Sequence, residues 1–296
     1  MPVIQNEIGL ALDQIVVATD FTPESEKALA YARALAHRFA SRLTLAHVID
    51  LSIATPAESA IVGVPLIEMR NDTAENMEHT LDELGLEGVT AQAKTIEAFD
   101  PVDALVNLSE KMDADLLVIG THGYHSLSKL ILGSISEGVI HSARCPVITI
   151  GPNVDPKPSD IAFRSIVFAT DLRHDAVEKA AVALSFAKDS IAHVHICHVI
   201  EDQMESFADA LRQQARAESA LSDLIPEASY TWCSPKPSVL FGNVDQEILK
   251  VAKATEADLI VLGARRGAGW MNRFGNGVVE NVVGQAHCPV LTICTS

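Results

Sequence analysis

An internal repeat is the feature of this sequence that most constrains its fold. The segment Ile15–Asp20 recurs as Ile166–Asp171, at an offset of 151 residues. Cys145-Pro146-Val147 recurs as Cys288-Pro289-Val290, at an offset of 143 residues. The chain is therefore predicted to consist of two homologous halves, the second of which is shorter in its middle.

The length of 296 residues suits two domains of ordinary size. A segment rich in proline and turn residues, Gly151–Asp160, lies between the two halves and is interpreted as a linker. The predicted domains are residues 1–153 and residues 160–296.

Apolar runs alternate with helical patterns in each half, in the order β-α-β-α-β-α-β-α-β. Thr22 is a predicted helix cap, with Pro23 at the first helical position. In the first half the predicted strands are 14–19, 43–49, 89–96, 115–119 and 147–150, and the predicted helices are 24–39, 64–84, 101–111 and one that begins at Ser134. In the second half Trp232 and Cys233 are assigned to strand three. This alternation predicts a parallel sheet with helices on both faces. A doubly wound order of 3-2-1-4-5 would place strands one and four side by side.

A glycine loop joins strand four to the helix at Ser134. Gly120 follows the strand, Gly123 comes three residues later, and Gly133 precedes Ser134. Glycine lets a backbone approach a ligand closely, and a helix N-terminus attracts anions. The pattern Gly-x2-Gly-x9-Gly-Ser is neither a Walker A loop nor a dinucleotide fingerprint. The alternative is that these glycines only make turns.

This loop, together with Cys145-Pro146-Val147, resembles the ATP-binding loop of the universal stress protein family, and the resemblance spans nearly the whole chain twice. It implies two Rossmann-like domains (adenine nucleotide alpha hydrolase-like), each an α/β fold with a five-stranded parallel sheet of order 3-2-1-4-5. It also implies that the first domain binds ATP, with or without Mg²⁺. The residues implied to contact the nucleotide are Ala18, Thr19, Asp20, Val48, Ile119, Gly120, His122, Gly123, Gly133, Ser134, Ile135 and Ser136.

Asp20 is predicted to lie at the carboxyl end of strand one, beside the glycine loop. A carboxylate there can accept hydrogen bonds from a ribose hydroxyl or an adenine amine, but it repels phosphate. The alternative role is that of a helix cap. His122 stands where the family often has arginine, and His125 and Lys129 could supply the missing charge.

The second half departs from the family pattern in its loop. In an alignment without gaps, Arg266 stands where Gly123 stands, and Gly277 stands where Ser134 stands. An arginine side chain at this point should obstruct phosphates, so the second half is predicted to be degenerate for ATP, although Asp171 is retained. The basic residues of this loop, which could bind another anion or an acidic partner surface, are Arg265, Arg266 and Arg273.

Three histidines, His193, His195 and His198, raise the question of a zinc site. His193 and His195 share one face of the predicted strand, whereas His198 points to the other. Because His198 repeats His47, a shared structural role is favoured, and no metal site is predicted.

The net charge and the cysteine content limit which partners and which cellular compartment are expected. A net charge of −17 argues against nucleic-acid binding through a basic face. The sequence shows no apolar run of membrane-spanning length and no signal peptide. Five scattered cysteines favour reduced thiols and a cytoplasmic location.

These observations predict an ATP-binding protein of stress response or signalling that acts through nucleotide-dependent conformation or partner binding. The expected partners are an adenine nucleotide and an unidentified protein. The alternatives are a nucleotide-independent interaction module and a slow adenine-nucleotide hydrolase, and no catalytic residue is assigned. The two halves are expected to pair as an intramolecular pseudo-dimer through the strands at 147–150 and 290–293, with a homodimer as a further option.

Overall fold

The chain forms two compact units. The computed structural model describes residues 10–53, 63–121, 132–155, 161–201, 207–265 and 277–295. The first unit is built on Ala11–Ile150, and the second on Ala162–Ser296 together with Gly151–Asp155. The sequence-based boundaries, 1–153 and 160–296, stay a prediction.

The first unit is an α/β fold whose five strands are all parallel. The strand order is β3-β2-β1-β4-β5, which confirms the predicted order of 3-2-1-4-5. The strands are β1 (Gln14–Ala18), β2 (Arg42–Asp50), β3 (Ala91–Ala98), β4 (Leu116–Gly120) and β5 (Val147–Ile150). The helices are α1 (Pro23–Phe39), α2 (Gly63–Leu86), α3 (Pro101–Lys111) and α4 (Ser134–Ser142).

The second unit repeats this order as β8-β7-β6-β9-β10, again with parallel strands. Its strands are β6 (Ser165–Ala169), β7 (His193–Ile200), β8 (Ser234–Phe241), β9 (Leu259–Arg265) and β10 (Val290–Thr295). Its helices are α5 (Ala176–Ser190), α6 (Phe207–Asp223), α7 (Val244–Ala254) and α8 (Val278–Gln285). None of the helices within the described ranges combines the length and apolarity that a bilayer crossing requires.

The assignment of Trp232 and Cys233 to a strand is wrong. Both backbone N–H groups bond to the carbonyl of Ser229, at 3.1 and 2.9 Å, so they close a turn instead of joining a sheet. Strand β8 begins at Ser234. Cys233 is buried and Trp232 is half-buried, with the Lys188 ammonium 5.9 Å from its ring centroid.

The repeat extends to the backbone conformation. Left-handed non-glycine residues occur at matching positions of the two units, and a left-handed backbone is uncommon outside glycine. The described pairs are Phe21 (φ 60°) with Leu172 (56°), Ala40 (53°) with Ile191 (52°), and Asp113 (48°) with Glu256 (48°). The two units therefore share loop geometry as well as strand order.

A carboxylate fixes β1 beside β4 at the start of both strands. Asp115 Oδ2 accepts hydrogen bonds from the backbone N–H groups of Asp13 and Gln14, at 2.8 and 3.0 Å. In the second unit Asp258 Oδ2 accepts the corresponding bonds from Arg164 and Ser165, at 2.9 and 3.0 Å. Since the strands are parallel, their opposite, carboxyl ends also emerge side by side.

The first part of the predicted linker belongs to the second unit. Asn153 donates its side-chain N–H to the carbonyls of Gly284 and Gln285, at 3.3 and 3.4 Å. Val154 is 2% exposed, and a Cβ on Gly151 would lie 2.5 Å from the carbonyl oxygen of Val283. Residues 151–155 are thus packed structure at the end of α8.

The glycine at the end of β4 is explained by packing within the first unit. A Cβ on Gly120 would lie 2.9 Å from the backbone carbonyl oxygen of Glu24, in the first turn of α1. Because that atom belongs to a helix backbone, it cannot move aside as a side-chain end could. Gly120 therefore permits close contact between β4 and α1.

Gly120→Ala is expected to lower the free energy of unfolding by about 1–3 kcal/mol, because the added methyl group overpacks this contact. The control is Gly85→Ala, where a Cβ meets no atom within 4 Å. That control should leave stability unchanged or raise it by at most about 1 kcal/mol, because alanine is the better helix former. Urea unfolding measures both variants, and equal effects would contradict this reason for Gly120.

Candidate functional site

Asp20 lies at the carboxyl end of β1, where it organises the turn into α1. Its Oδ1 accepts hydrogen bonds from the Thr22 hydroxyl, at 2.6 Å, and from the Thr22 backbone N–H, at 3.2 Å. Thr22 in turn caps α1 by accepting from the N–H of Ser25. The predicted cap is confirmed at Thr22, and Asp20, two residues before it, accepts hydrogen bonds from that capping residue.

The second carboxylate oxygen of Asp20 is available to a ligand. Within the described part of the chain, Oδ2 has neither a hydrogen-bond partner nor an ion-pair partner. The residue is half-buried, so water is partly excluded around it. A half-buried acceptor to which no described residue donates is suited to a hydroxyl or amine of a bound molecule.

Two rings stand beside this carboxylate. Phe21 and His47 stack, with ring centroids 4.9 Å apart and an interplanar angle of 29°. His47 Nδ1 lies 2.8 Å from the Thr19 carbonyl, and since a carbonyl only accepts, Nδ1 carries the proton. Burial lowers the pKa of His47 against the opposing effects of this hydrogen bond and of the Asp20 charge. His47 is thus a neutral, oriented ring.

The same histidine contact recurs in the second unit. His198 Nδ1 lies 2.8 Å from the Thr170 carbonyl, which is the counterpart of the Thr19 carbonyl. This confirms the structural role that the repeat predicted for His47 and His198. Both histidines tie strand two of their unit to the end of strand one. The stacking of the Phe21 ring on His47 was not predicted from the sequence.

The start of α4 is attached to the end of β4. The Gly133 N–H donates to the Thr121 carbonyl at 2.8 Å, and the Ser136 hydroxyl donates to the Gly120 carbonyl at 2.8 Å. The N-cap of α4 is Gly133, which has no side chain to satisfy the first N–H groups. Ser134 is exposed, and its hydroxyl has no partner among the described residues. The first turn of α4 therefore presents donors at the carboxyl end of β4.

The structure brings most of the predicted site residues to one edge of the first sheet. β1 lies between β2 and β4, so the residues at these three strand ends are neighbours. The side chains of Thr19 and Ile119 are buried, so a ligand would meet their backbone. The site residues placed at this edge are Ala18, Thr19, Asp20, Val48, Ile119, Gly120, Gly133, Ser134, Ile135 and Ser136. His122 and Gly123, with the loop residues His125 and Lys129, lie outside the described residues.

The counterpart of Asp20 in the second unit is engaged by cations. Asp171 Oδ2 lies 2.9 Å from Arg173 Nε and 3.8 Å from Arg265 Nη2. The carboxylate that is open in the first unit is thus ion-paired in the second. The loop residues Arg266 and Arg273 lie outside the described residues.

No group of three or more metal-ligating side chains is assembled in the part of the chain that the structure describes, which includes His193, His195 and His198. All five cysteines are buried and none forms a disulfide. Burial raises the pKa of Cys145 to about 11 and that of Cys197 to about 12, so both stay protonated thiols near neutral pH.

The chain belongs to the universal stress protein family. The sequence model of that family matches residues 12–151 and, a second time, residues 162–293. The protein is thus a tandem member, and its α/β fold and duplicated sequence agree with the resemblance noted from the glycine loop.

Relatives of one-domain and two-domain length both match. Universal stress protein MJ0531 of Methanocaldococcus jannaschii is 30% identical over 141 residues, which cover 46% of this chain and 81% of that protein. Universal stress protein Rv2623 of Mycobacterium tuberculosis is 25% identical over 289 residues, covering 94% and 95%. A crystal structure of a universal stress protein from Archaeoglobus fulgidus superposes with a TM-score of 0.72 at 20% identity, covering 98% and 99%.

Proposed function

We propose that the first unit binds ATP at the carboxyl ends of β1 and β4, and that ATP occupancy controls its conformation or its binding to a protein partner in stress response or signalling. The observation that carries this proposal is the placement of two complementary groups at one sheet edge. Asp20 offers a carboxylate oxygen that has no partner among the described residues, and the first turn of α4 offers N–H donors. Open α/β sheets bind ligands at such an edge.

The nucleoside would occupy the Asp20 end of this edge. Asp20 Oδ2 would accept a hydrogen bond from a ribose hydroxyl or from the adenine amine. The backbone beside Val48, at the end of the neighbouring strand β2, would contact the base. The stacked rings of Phe21 and His47 hold the backbone of this corner in place.

The phosphates would occupy the α4 end. Backbone N–H groups of the first turn and the Ser134 hydroxyl can donate to phosphate oxygens, and the helix dipole favours negative charge there. Gly133, Ile135 and Ser136 would contribute backbone, because the Ser136 hydroxyl already donates to Gly120. His122 and Gly123 complete the proposed set. Mg²⁺, where present, would be held by the phosphates and by its own waters, because this ion gives up its waters reluctantly.

A nucleotide-independent interaction role is favoured for the second unit by the ion pairs on Asp171. We place the whole protein in the cytoplasm, a proposal that five buried thiols without a disulfide support. The predicted domain boundaries, 1–153 and 160–296, are retained as part of this proposal.

Asp20→Ala should weaken ATP binding, whereas Asp171→Ala should leave it unchanged. A lost hydrogen bond to a charged group costs about 1.5–3 kcal/mol, or roughly 10–150-fold in affinity. Inorganic triphosphate, which lacks the nucleoside, should bind Asp20→Ala as well as it binds the parent chain. Isothermal titration calorimetry measures all of these affinities.

Two results of this titration would count against the assignment. Equal losses for ATP and triphosphate in Asp20→Ala would remove Asp20 from the nucleoside end. An effect of Asp171→Ala as large as that of Asp20→Ala would contradict the choice of the first unit. Thermal melting of each variant shows whether the fold is retained.

We further propose that the two units pair as a pseudo-dimer through β5 and β10. The tetrapeptides Val147–Ile150 and Val290–Ile293 are nearly the same, and an open apolar edge strand is an aggregation hazard that pairing removes. In the strand order, β5 and β10 stand last in their own units.

Small-angle X-ray scattering tests the pseudo-dimer. A compact chain of this length should have a radius of gyration of about 19 Å. Two tethered units that tumble separately would give a clearly larger radius and an elongated distance distribution, which would contradict the pairing.

A further inference from the structure

In the second unit, arginine side chains of the same unit pair with Asp171, the residue that matches Asp20. Arg173 occupies the position that Thr22 occupies in the first unit. Each stands two residues after the aspartate that the two halves share, Asp20 or Asp171. Thr22 donates a hydroxyl to Asp20 and leaves Oδ2 open, whereas Arg173 places its guanidinium on Asp171 Oδ2 at 2.9 Å. Arg265, at the end of β9, approaches the same oxygen at 3.8 Å.

A buried lysine fills the space beside Gly263 of β9, the residue that matches Gly120. Lys179 is 6% exposed, and a Cβ on Gly263 would lie 2.6 Å from its Nζ. Its ammonium pairs with Asp175 Oδ2 at 2.6 Å. The matching residue in the first unit is Ala28, which is fully buried, and there the backbone of α1 itself reaches the glycine of β4.

The helix that contains this lysine, α5, begins later than its counterpart α1. The residue that matches Pro23, where α1 begins, is His174, but α5 begins only at Ala176. Asp175 precedes α5 without a side-chain capping bond and pairs with Lys179 instead. The turn after β6 is therefore built from ion pairs, whereas the turn after β1 is built from a capping hydroxyl.

A carboxylate lies at the start of α8, the helix that corresponds to α4, where the phosphates are proposed to bind in the first unit. Gly277 is the N-cap of α8, and a Cβ on it would overlap the carboxylate of Glu280. Glu280 thus sits at the first turn of α8, where a negative charge is favoured by the helix dipole. In α4 the N-cap is one alignment position earlier, at Gly133, so the matching Glu137 is also in the first turn but stands one residue further from the N-cap.

We infer that the second unit is a self-occupied copy of the nucleotide site, in which Arg173 and Glu280 are the residues that exclude adenine nucleotides. The guanidinium takes the acceptor that a ribose or adenine would need. The carboxylate of Glu280 takes the helix start that a phosphate would need, and it would repel a phosphate that approached. This inference rests on the proposed function of the first unit, because it explains why only one copy of the repeat would bind ATP.

Hydrogen exchange of the full chain, with and without ATP, tests where nucleotide binds. We expect ATP to slow exchange in the peptides covering 14–20 and 132–142, and to leave the matching peptides 165–171 and 277–285 unchanged. Protection in both sets would overturn this inference while leaving the proposed function intact. Protection in neither set would overturn the proposed function and the inference with it.

A transplant into the first unit tests whether the guanidinium is the cause. Thr22→Arg copies Arg173, and Thr22→Gln is the matched control that removes the same cap without adding charge. The probe is adenosine, which has no phosphate for an added arginine to attract. Thr22→Arg should bind adenosine at least about tenfold more weakly than Thr22→Gln, since the charged partner then competes for Asp20. Equal adenosine affinities in the two folded variants would overturn the role given to Arg173.

Discussion

The adjacency of β1 and β4 is the constraint on which the rest of this structure depends. The two strands are far apart in sequence, and Asp115 joins their beginnings by accepting two backbone N–H groups. Because parallel strands keep their register, the ends of β1 and β4 then meet at the opposite edge. Asp20 and the first turn of α4 lie at the same edge of the sheet for that reason. The same device, with Asp258, builds the matching edge in the second unit.

The two units share one fold but differ in the charged groups around the turn that follows their first strand. In the first unit the turn after β1 is closed by hydroxyl and backbone bonds, which leave one oxygen of Asp20 open. In the second unit Arg173 pairs with Asp171, Lys179 pairs with Asp175, and the carboxylate of Glu280 lies against Gly277 at the start of α8. Under the proposed function, the first copy would respond to a ligand while the second copy would keep its ion-paired turn without one. The asymmetry arises from charge, whereas strand order and loop backbone are shared.

The buried strands could be predicted from the sequence because a strand that is covered on both faces consists of a continuous run of apolar residues. β5, for example, was predicted at its observed bounds. The edge strand β3 was placed two residues early, since four of its eight residues are polar and exposed and it has no continuous apolar run. Gly120 was found by its position, but its contact with Glu24 depends on packing between distant segments. Lys179 and Asp175 form an i,i+4 pair, a spacing typical of solvated helix faces. Their burial could not be read from sequence, so this pair was missed.

The central claim is that one copy of the repeat binds an adenine nucleotide and the other does not. Native mass spectrometry of the freshly purified chain, titrated with ATP to saturation, counts the nucleotides directly. The account predicts one ATP per chain, together with an adenine nucleotide in the material released on denaturation. Two ATP molecules per chain, or none at saturating concentration, would contradict it.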